Sequence, residues 1–555
     1  MLTRRSTALL AIPLFLVLAA YVLYPSIRTF EVGVTAENYA RLFASWSSSN
    51  VRALVNSVSI SVATVLGAGL LGTALAYFFH RFTFPLRGML MGVAVLPLAL
   101  PPLVGVLAFL FLYGESGILP RGIQEVLGLA SVPFSFDGLW AVWLVHVYTM
   151  YVYFYLFVLS ALGGIDRSLL EASAGLGASN TTTFRRVVLP QLKPALVGAS
   201  LLVFMISMAS FTAPLLFAGT ENFLTLQIYN YKTNGNLALS AAVSTVLTAI
   251  CLLFLLFLET GYRRDREVGA AKGVASPPQP VRTGAGRALA LAGALLILLF
   301  LTLPIATVVL VSFAQEGSWT YQILPTTYTL ENYTVLFQDP DVLQPILNSL
   351  RMALVATAAN VIFGVGAALY IARGRLPGRG LMRLLTALPF AIPGTVIAVN
   401  LIVTFNEPKV LALNAVLIGS FWILPLAYFI RNIPLVVRST TAALERFDDR
   451  LVEASADLGA RFATTFRRIV LPAITPGVLA GTLLTFVAAL GEFVSSIMLY
   501  VFNNRPISVE ILAQLRLYDF GAAAAYSVFL MILIALSTAA VNAVGRGASP
   551  IGQAF

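Results

Sequence analysis

Apolar stretches long enough to cross a membrane follow one another along nearly the whole chain. A helix needs about 20 mostly apolar residues to span the hydrocarbon core, and an open sheet cannot satisfy its backbone groups in lipid. Only 11% of the residues are charged, against about a quarter in soluble domains. The sequence therefore predicts an all-α polytopic membrane protein with twelve transmembrane helices, near residues 7–28, 53–79, 88–113, 138–162, 189–218, 237–259, 287–312, 346–372, 382–404, 411–433, 472–501 and 521–544.

A polar segment of twenty residues occurs twice between these stretches. Residues 171–190 read EASAGLGASNTTTFRRVVLP and residues 453–472 read EASADLGARFATTFRRIVLP, identical at 15 of 20 positions and offset by 282. Three further segments repeat with offsets of 294, 292 and 292: ENYARLF at Glu37 and ENYTVLF at Glu331, NSVSI at Asn56 and NSLRM at Asn348, and VLPLALPPLV at Val95 and ALPFAIPGTV at Ala387. The chain therefore consists of two homologous halves.

The repeat places the first half at residues 1–262 and the second at residues 287–555. Each half contains six predicted spans, so both cross the membrane in the same direction and are expected to be related by an axis along the membrane normal. Residues 263–286 are rich in Gly, Ala, Ser and Pro, a composition that cannot bury a core. We therefore predict two parallel six-helix repeats joined by a flexible cytoplasmic linker.

The distribution of basic residues predicts the orientation. A net charge of +11 would favour a nucleic-acid partner in a soluble protein, but 26 of the 35 Lys and Arg lie in the repeated loops and their flanks or in segments on the same side of the membrane. The nine on the other side are Arg28, Arg41, Arg52, Arg121, Lys232, Arg351, Lys409, Arg505 and Arg516. The positive-inside rule places the repeated loops, the linker and both termini in the cytoplasm, and we expect no nucleic-acid partner.

The first apolar stretch follows Arg4 and Arg5, as in a secretory signal. No small-x-small cleavage site precedes Pro25, and cleavage would leave an odd number of spans, so we expect a retained first helix. The one cysteine, Cys251, lies inside a predicted span, which excludes a disulfide framework and favours a core position.

Each repeated loop, residues 166–190 or 448–472, has the pattern of two short helices joined by a turn. Asp166 or Asp448 can cap the first helix, and Gly177 or Gly459 suits a left-handed turn. Each second helix carries two arginines: Arg185 and Arg186, and Arg467 and Arg468. A single copy could be an amphipathic helix lying on lipid, but lipid contact does not require two copies with identical spacing. The pattern favours a docking surface.

The pattern E-A-(A/S)-x3-G-x9-(I/V)-x-L-P in these loops resembles the signature cytoplasmic loop of ABC importer permeases, the membrane subunits that receive an ATPase. The resemblance implies the type I permease fold, with one coupling-helix loop in each half docked on a nucleotide-binding subunit. The docking residues that it implies are Glu171, Ala172, Gly177, Arg185, Arg186, Glu453, Ala454, Gly459, Arg467 and Arg468. The third small residue of the pattern is Ser173 in one copy and Ser455 in the other.

The resemblance also implies the partners. No G-x4-G-K-(S/T) phosphate-binding motif occurs in the sequence, so we expect the chain itself to be no enzyme and to bind no cofactor. ATP and Mg²⁺ would bind to two copies of a separate ABC ATPase subunit. An extracytoplasmic solute-binding protein would deliver the solute, and the chain would lie in the bacterial plasma (inner) membrane.

Ionisable residues inside a span are costly and are candidate functional groups. Glu492 lies in the eleventh predicted span, and the repeat offset of 282 relates it to Ser210 of the first half. His146 lies in the fourth span, and the same offset relates it to Tyr428. We predict that Glu492, Ser210 and His146 line the translocation pathway, with Glu492 as a transient oxygen ligand for a metal ion. A structural ion pair would explain Glu492 equally well, and a hydrogen-bonded core histidine would explain His146 more simply.

Fused permeases with ENYxxLF in the first outer loop and a tail like the segment from Glu492 look most like the ferric-iron importer permeases. The function that this resemblance implies is ATP-driven import of ferric iron, with thiamine, 2-aminoethylphosphonate or a polyamine as the alternatives that share the scaffold. An ion-gradient-driven secondary transporter with two parallel repeats is the alternative from another class. Such a carrier needs no repeated docking loop, and therefore the sequence favours the ATP-driven importer.

Overall fold

The computed structural model describes residues 4–266, 279–280, 283–319, 322–374 and 376–546, and most of them are helical. Within this part of the chain the strands are β1, Phe82–Thr83, and β2, Gln279–Pro280, which pair in parallel. The all-α class is confirmed. Most of the predicted linker at 263–286 lies outside the described residues.

The described helices before the linker cover the six predicted spans of the first half and the segments that connect them. They are α1 Arg4–Leu18, α2 Tyr24–Gly33, α3 Ala36–Leu42, α4 Ser49–Arg81, α5 Arg87–Val93, α6 Leu96–Ala99, α7 Pro102–Tyr113, α8 Ile118–Val126, α9 Gly138–Gly163, α10 Arg167–Gly175, α11 Asn180–Thr183, α12 Leu189–Met208, α13 Thr212–Phe217, α14 Leu224–Thr233 and α15 Leu237–Arg266. Five-residue π-helical turns, Ala19–Leu23 and Phe184–Val188, join α1 to α2 and α11 to α12.

Within the described residues the helices after the linker follow the same order, but there are twelve of them against fifteen, and α8 has no α-helical counterpart. They are α16 Gly284–Val311, α17 Glu331–Gln338, α18 Pro340–Arg373, α19 Arg379–Ala391, α20 Gly394–Phe405, α21 Ile423–Glu445, α22 Arg450–Asp457, α23 Phe462–Thr465, α24 Leu471–Leu490, α25 Val494–Leu499, α26 Ile507–Arg516 and α27 Phe520–Arg546. A π-helical turn, Phe466–Val470, joins α23 to α24. Short 3₁₀ turns occur at Val410–Ala412 and Phe502–Asn504.

Ten helical segments of the described chain are long and apolar enough to cross a membrane, and the bent pair α19 and α20 would make an eleventh. The remaining long helix, α21, is more polar because it carries Arg431, Asn432 and Arg438. A multi-pass membrane protein is confirmed. The predicted number of twelve apolar spans is not confirmed, because ten or eleven are found in the described chain.

The tenth predicted span, at 411–433, is wrong in position. Residues 406–422 contain turns and one 3₁₀ turn, and the helix begins twelve residues later, at Ile423. The apolar residues of that loop raised the local hydropathy, whereas the true helix carries Arg431 and Arg438 and buries the amide side chain of Asn432. The repeat offset of 282 maps α9 onto residues 420–445, and this signal was sufficient to find α21.

Four of the predicted spans are interrupted. The third is divided into α5, α6 and α7, and the ninth bends by 105° between α19 and α20; prolines at the breaks, such as Pro101 and Pro393, lack the N–H that a continuous helix uses. The fifth breaks at 209–211 and the eleventh at 491–493. The backbone of the two breaks is nearly the same, with φ of −117° at Phe211 and −108° at Phe493.

The described chain forms two compact units. The first unit comprises Arg41–Gln227 and Val246–Tyr328. Within it α4 packs along α9, and α12 packs against both. The approach is close at Gly72, where an added Cβ would overlap the carbonyl oxygen of Tyr151 and lie 2.7 Å from Cβ of Phe154. The Tyr148 hydroxyl donates to the Leu301 carbonyl at 2.7 Å, so this buried phenol is satisfied within the unit.

The second unit comprises Met1–Ala40, Ile228–Thr245 and Thr329–Phe555. Here α18 packs along α21, and α24 packs against both. Gly364, which the offset of 292 relates to Gly72, repeats the close approach: an added Cβ would lie 2.6 Å from Cγ1 of Val436. The helices α2 and α20 also pack together, and Asn400 Nδ2 donates to Ser26 Oγ at 3.1 Å.

Candidate functional site

Each repeated loop folds into two short helices, as the sequence predicts. The carboxylate of Asp166 accepts the backbone N–H of Ser168 at 2.9 Å, and the carboxylate of Asp448 accepts the N–H of Arg450 at 3.0 Å. These contacts satisfy an N–H group that a helix start leaves without an internal partner. The first short helix therefore begins in the same way in both copies.

The turn between the two short helices uses glycine in a left-handed conformation. Gly177 has a φ of +74° and Gly459 a φ of +76°, which a residue with a Cβ adopts only at a cost. No atom lies within 4 Å of a Cβ built on either glycine. The predicted turn is confirmed, and backbone geometry, not crowding, is what requires glycine there.

A hydroxyl pair ties the two short helices together in both copies. Oγ of Ser173 lies 2.8 Å from Oγ1 of Thr183, and Oγ of Ser455 lies 2.8 Å from Oγ1 of Thr465. The serines are the positions at which the loop pattern accepts either alanine or serine, so sequence alone gave no reason to expect a hydrogen bond. Their spacing of ten residues from a threonine in both copies is the signal that could have revealed it.

All ten predicted docking residues are exposed. The structure brings one of them into an ion pair, between Arg167 and Glu171 at 2.5 Å. Leu176 and Leu458, which precede the two glycines, are 87% and 88% exposed. Each loop therefore presents an apolar tip beside polar side chains.

Two arginines hold the loops to the end of a long helix, a role that the sequence did not predict. Arg81, at the end of α4, donates to Oδ1 of Asn180 at 2.9 Å. Its repeat counterpart, Arg373, at the end of α18, pairs with Asp449 at 2.9 Å and donates to the Leu444 carbonyl at 2.8 Å. The offset of 292 relates the two positions, so the repeat could have identified them.

The repeated Asn-Ser dipeptide fixes the segment that follows each helix break. Asn56 Nδ2 donates to Glu221 Oε2 at 2.9 Å and to the Asn222 carbonyl at 3.1 Å. Asn348 Nδ2 donates to the Asn503 and Arg505 carbonyls at 3.3 and 3.1 Å.

The serine of each dipeptide caps the short helix beyond that segment. Ser57 Oγ accepts the N–H of Leu224 at 3.0 Å, and Ser349 Oγ accepts the N–H of Ile507 at 2.8 Å. These residues begin α14 and α26. Sequence comparison found the dipeptide as a repeat without giving it this role.

His146 and Ser210 lie together in the first unit. The His146 side chain is buried, with Nε2 at 2.8 Å from Ser210 Oγ and Nδ1 at 3.1 Å from Ser207 Oγ. The Ser210 carbonyl accepts the Thr225 hydroxyl at 2.7 Å. An uncharged hydrogen-bond network therefore holds the 209–211 break to α9.

Glu492 occupies the matching break of the second unit and is buried, with 7% of its surface exposed. Its Oε2 lies 2.9 Å from Arg431 Nε on α21. Its Oε1 accepts the N–H of Ser495 at 2.9 Å and the hydroxyl at 3.0 Å. The carboxylate therefore has partners on both oxygens, and an ion pair holds the 491–493 break to α21.

The backbone carbonyl of Glu492 is also satisfied. It accepts hydroxyls from Ser496 at 2.6 Å and Ser508 at 2.8 Å. In the described part of the chain no group of three His, Cys, Asp or Glu side chains is placed to hold a metal ion. A metal passing Glu492 would find one carboxylate there.

Arg431 was missed as an intramembrane charge because it lies near the end of the misplaced span at 411–433 and was counted among the cytoplasmic basic residues. The Arg431–Glu492 pair also depends on a glycine, because a Cβ at Gly394 would overlap the Arg431 guanidinium. Repeat offsets relate Gly394, Arg431 and Glu492 to Pro102, Thr149 and Ser210. The two halves therefore differ at all three positions. In the second half the glycine leaves room for the arginine, and the glutamate supplies its counter-charge.

Comparison with known proteins matches both halves. A family model described as binding-protein-dependent transport system inner membrane component matches residues 68–264 and 360–549. The probable ABC transporter permease protein y4fN of Sinorhizobium fredii is 30% identical over 88% of this chain and 86% of its own length. The Fe(3+)-transport system permease protein FbpB 2 of Haemophilus influenzae is 26% identical over 92% of each chain.

Shorter proteins match less than half of this chain. The sulfate transport system permease protein CysT of Escherichia coli is 30% identical over 45% of this chain and 88% of its own length. The spermidine/putrescine transport system permease protein PotB of the same organism is 31% identical over 43% of this chain and 90% of its own length. Each range that the family model matches contains one repeated loop and one of the breaks at 209–211 and 491–493.

The ion pair predicts a distinctive order of stabilities. Removing one member of a buried pair costs about 3–5 kcal/mol, whereas replacing both by neutral groups is often tolerated; the partial exposure of Arg431 places the expected loss at the lower end. Arg431→Thr should therefore lower the melting temperature of the solubilised chain. Arg431→Thr with Glu492→Ser, which copies the first unit, should recover most of the loss. A double variant no more stable than the single one would contradict a stabilising pair.

Proposed function

Because the chain belongs to the family of binding-protein-dependent transport system inner membrane components, we propose that it is the fused permease of an ABC importer that carries ferric iron into the cytoplasm. Its membership as an importer permease rests on the family match to both halves. Iron as the solute is supported by a relative named for Fe(3+) transport that aligns with 92% of the chain. Thiamine, 2-aminoethylphosphonate and polyamines are the alternative solutes, and sulfate joins them because a sulfate permease matches one half.

The repeated loops are the proposed docking sites for two copies of an ABC ATPase, which would bind ATP and Mg²⁺ and perform the hydrolysis. The exposure of all ten docking residues supports this role. An exposed leucine beside each glycine could insert into a groove on the partner, since buried apolar anchors dominate protein interfaces. The π-helical turns that follow connect the loops directly to α12 and α24.

The solute would be delivered by an extracytoplasmic binding protein, and both termini would face the cytoplasm of a bacterium. The chain would lie in its plasma membrane. The excess of Lys and Arg on the side of the repeated loops supports this orientation.

Glu492, Ser210 and His146 are proposed to lie on the route of the solute. Their position at or beside the two helix breaks supports this, because non-helical backbone at membrane depth is tolerated where it is buried in protein or lines a cavity. A role for Glu492 as transient ligand to a ferric ion requires its Oε2 to leave Arg431.

The docking role predicts an uncoupled double variant. Gly177→Val with Gly459→Val should abolish solute-dependent stimulation of the partner ATPase, because β-branched residues at positive φ cost about 1–3 kcal/mol each. Gly175→Val is the matched control, since Gly175 is exposed, lies on the same loop and has no positive φ. Normal coupling in the double variant at normal membrane abundance would exclude the docking role.

The orientation predicts one-sided labelling. A cysteine introduced at exposed Ser179 should react with an impermeant maleimide only from the cytoplasmic side, and one at exposed Ser116 only from outside. The natural Cys251 is buried and should give little background. Labelling of the Ser179 position from outside would reverse the proposed topology.

The proposed solute predicts iron uptake that depends on this chain. Deleting its gene should reduce uptake of radioactive ferric iron several-fold, and complementation should restore it. Glu492→Gln should lower uptake if the carboxylate is a ligand. Unchanged iron uptake in the deletion strain, with loss of uptake of thiamine, a phosphonate, a polyamine or sulfate, would replace iron by that solute.

A further inference from the structure

Arg431 is a cation within a helix of the membrane bundle to which the proposed function gives no role. It lies near the centre of α21 and is 34% exposed. Its Nε faces Glu492 Oε2 at 2.9 Å. Among the described residues neither Nη group has a hydrogen-bond partner. A guanidinium has five N–H donors, so the four on the two Nη nitrogens, two of them along the Nη edge, are unused.

The Arg431 side chain is partly exposed. The residues packed beside the guanidinium, Gly394 and Val494, are buried. A charged group in a membrane helix is costly in lipid and faces the bundle interior or a water-filled cavity. Since one-third of the Arg431 side chain is exposed, we infer that the guanidinium lies in a water-filled cavity and not in a closed bundle interior.

The chemistry of this space favours an anion. The Nη groups lie beside Gly394, the first residue of the twelve-residue helix α20, whose N-terminus carries partial positive charge. In the same turn the Thr395 hydroxyl is fully buried without a hydrogen-bond partner in the described chain. Glu492 offsets the charge of Arg431, but its Oε2 lies at Nε and its Oε1 accepts the N–H of Ser495.

The residues around the Arg431 guanidinium are matched to it in size and charge. Gly394 leaves the space that the guanidinium fills, and Glu492 supplies a carboxylate at Nε. The equivalent positions of the first half have Pro102, Thr149 and Ser210, and no ionisable group is among them. A chain that needed Arg431 solely to hold the 491–493 break could have used the uncharged network that holds 209–211.

We propose that the Nη edge of Arg431 is a recognition site for an anionic oxygen of the solute, with Glu492 as the residue that positions the guanidinium. Two parallel N–H donors bind a carboxylate, phosphate or sulfate group in a bidentate manner. The proposal rests on the importer function and narrows its solute. The solute passes Arg431 either as a free oxyanion or as a ferric ion that still carries an oxyanion ligand.

Binding of a defined probe tests the site. The full chain in nanodiscs of neutral lipid should bind radiolabelled inorganic phosphate or sulfate saturably. The neutral Arg431→Thr, Glu492→Ser variant should bind it at least about tenfold more weakly, since a hydrogen bond to a charged group is worth that factor or more. Arg438→Gln, on the same helix with its guanidinium 5.3 Å from the Phe390 ring centroid, should bind as the wild type does.

The sign of a third variant separates an anion site from a cation site. Glu492→Gln removes the counter-charge but keeps a side-chain oxygen that can accept the Nε–H of Arg431 and so position the guanidinium. It should leave binding of the anion unchanged or tighten it, whereas binding of a cation held by Glu492 would be lost. No saturable binding to the wild type, equal binding to the folded double variant, or weaker binding to Glu492→Gln would each overturn the proposal. Melting curves identify variants that are folded.

Uptake measurements separate this proposal from the proposed import of iron. If the wild type imports radioactive iron, the double variant imports less and Glu492→Gln imports as much as the wild type, the oxyanion travels with the ferric ion. If the wild type imports phosphate or sulfate but no iron, the anion site stands and iron is replaced as solute. Iron uptake that is equal in the wild type and the folded double variant would overturn the anion site and leave the importer function intact.

Discussion

In a membrane every backbone polar group needs a partner within the protein, and this constraint governs the two helix breaks on which the rest of the site depends. The carbonyl of Ser210 receives the Thr225 hydroxyl, and that of Glu492 receives hydroxyls from Ser496 and Ser508. Because the breaks are satisfied in this way, the chain can end one helix and begin another at positions of the two halves that the repeat relates. The side chains of Ser210 and Glu492 are thereby held beside α9 and α21.

The two halves solve the same structural problem with different chemistry. In the first unit the break is held by neutral hydrogen bonds from His146, and in the second by an ion pair with Arg431. Burying an ion pair costs desolvation free energy, and a protein with neutral residues of similar shape in its place is often as stable. Stability therefore gives no reason for the second half to carry a charged pair where the first carries none. Under the proposed function we attribute the difference to the solute that passes the site, and for this reason the Nη edge of Arg431 is informative.

Sequence predicted the features that depend on local chemistry or on repetition. The caps at Asp166 and Asp448 and the left-handed turns at Gly177 and Gly459 follow from residue type, and all four are confirmed. The position of α21 was wrong because hydropathy detects helices that face lipid, whereas α21 buries Asn432 and pairs Arg431 inside the bundle. The Arg431 partner of Glu492 was lost with it. The ties from Asn56 and Asn348 span more than 150 residues, and no local pattern encodes such contacts.

The loops and the breaks belong to one mechanical element in each half. From the π-helical turn at Phe184–Val188, α12 runs without interruption to Met208, and α24 runs in the same way from Leu471 to Leu490. Twenty helical residues span about 30 Å at 1.5 Å per residue, so each helix reaches from its loop across most of a bilayer. Arg81 and Arg373 fix each loop to the end of another long helix, which limits tilting of the loop alone. Under the proposed docking role, we expect a displacement imposed on the loop to move α12 or α24 as a body. The first weak points that it meets are the breaks at Ser210 and Glu492.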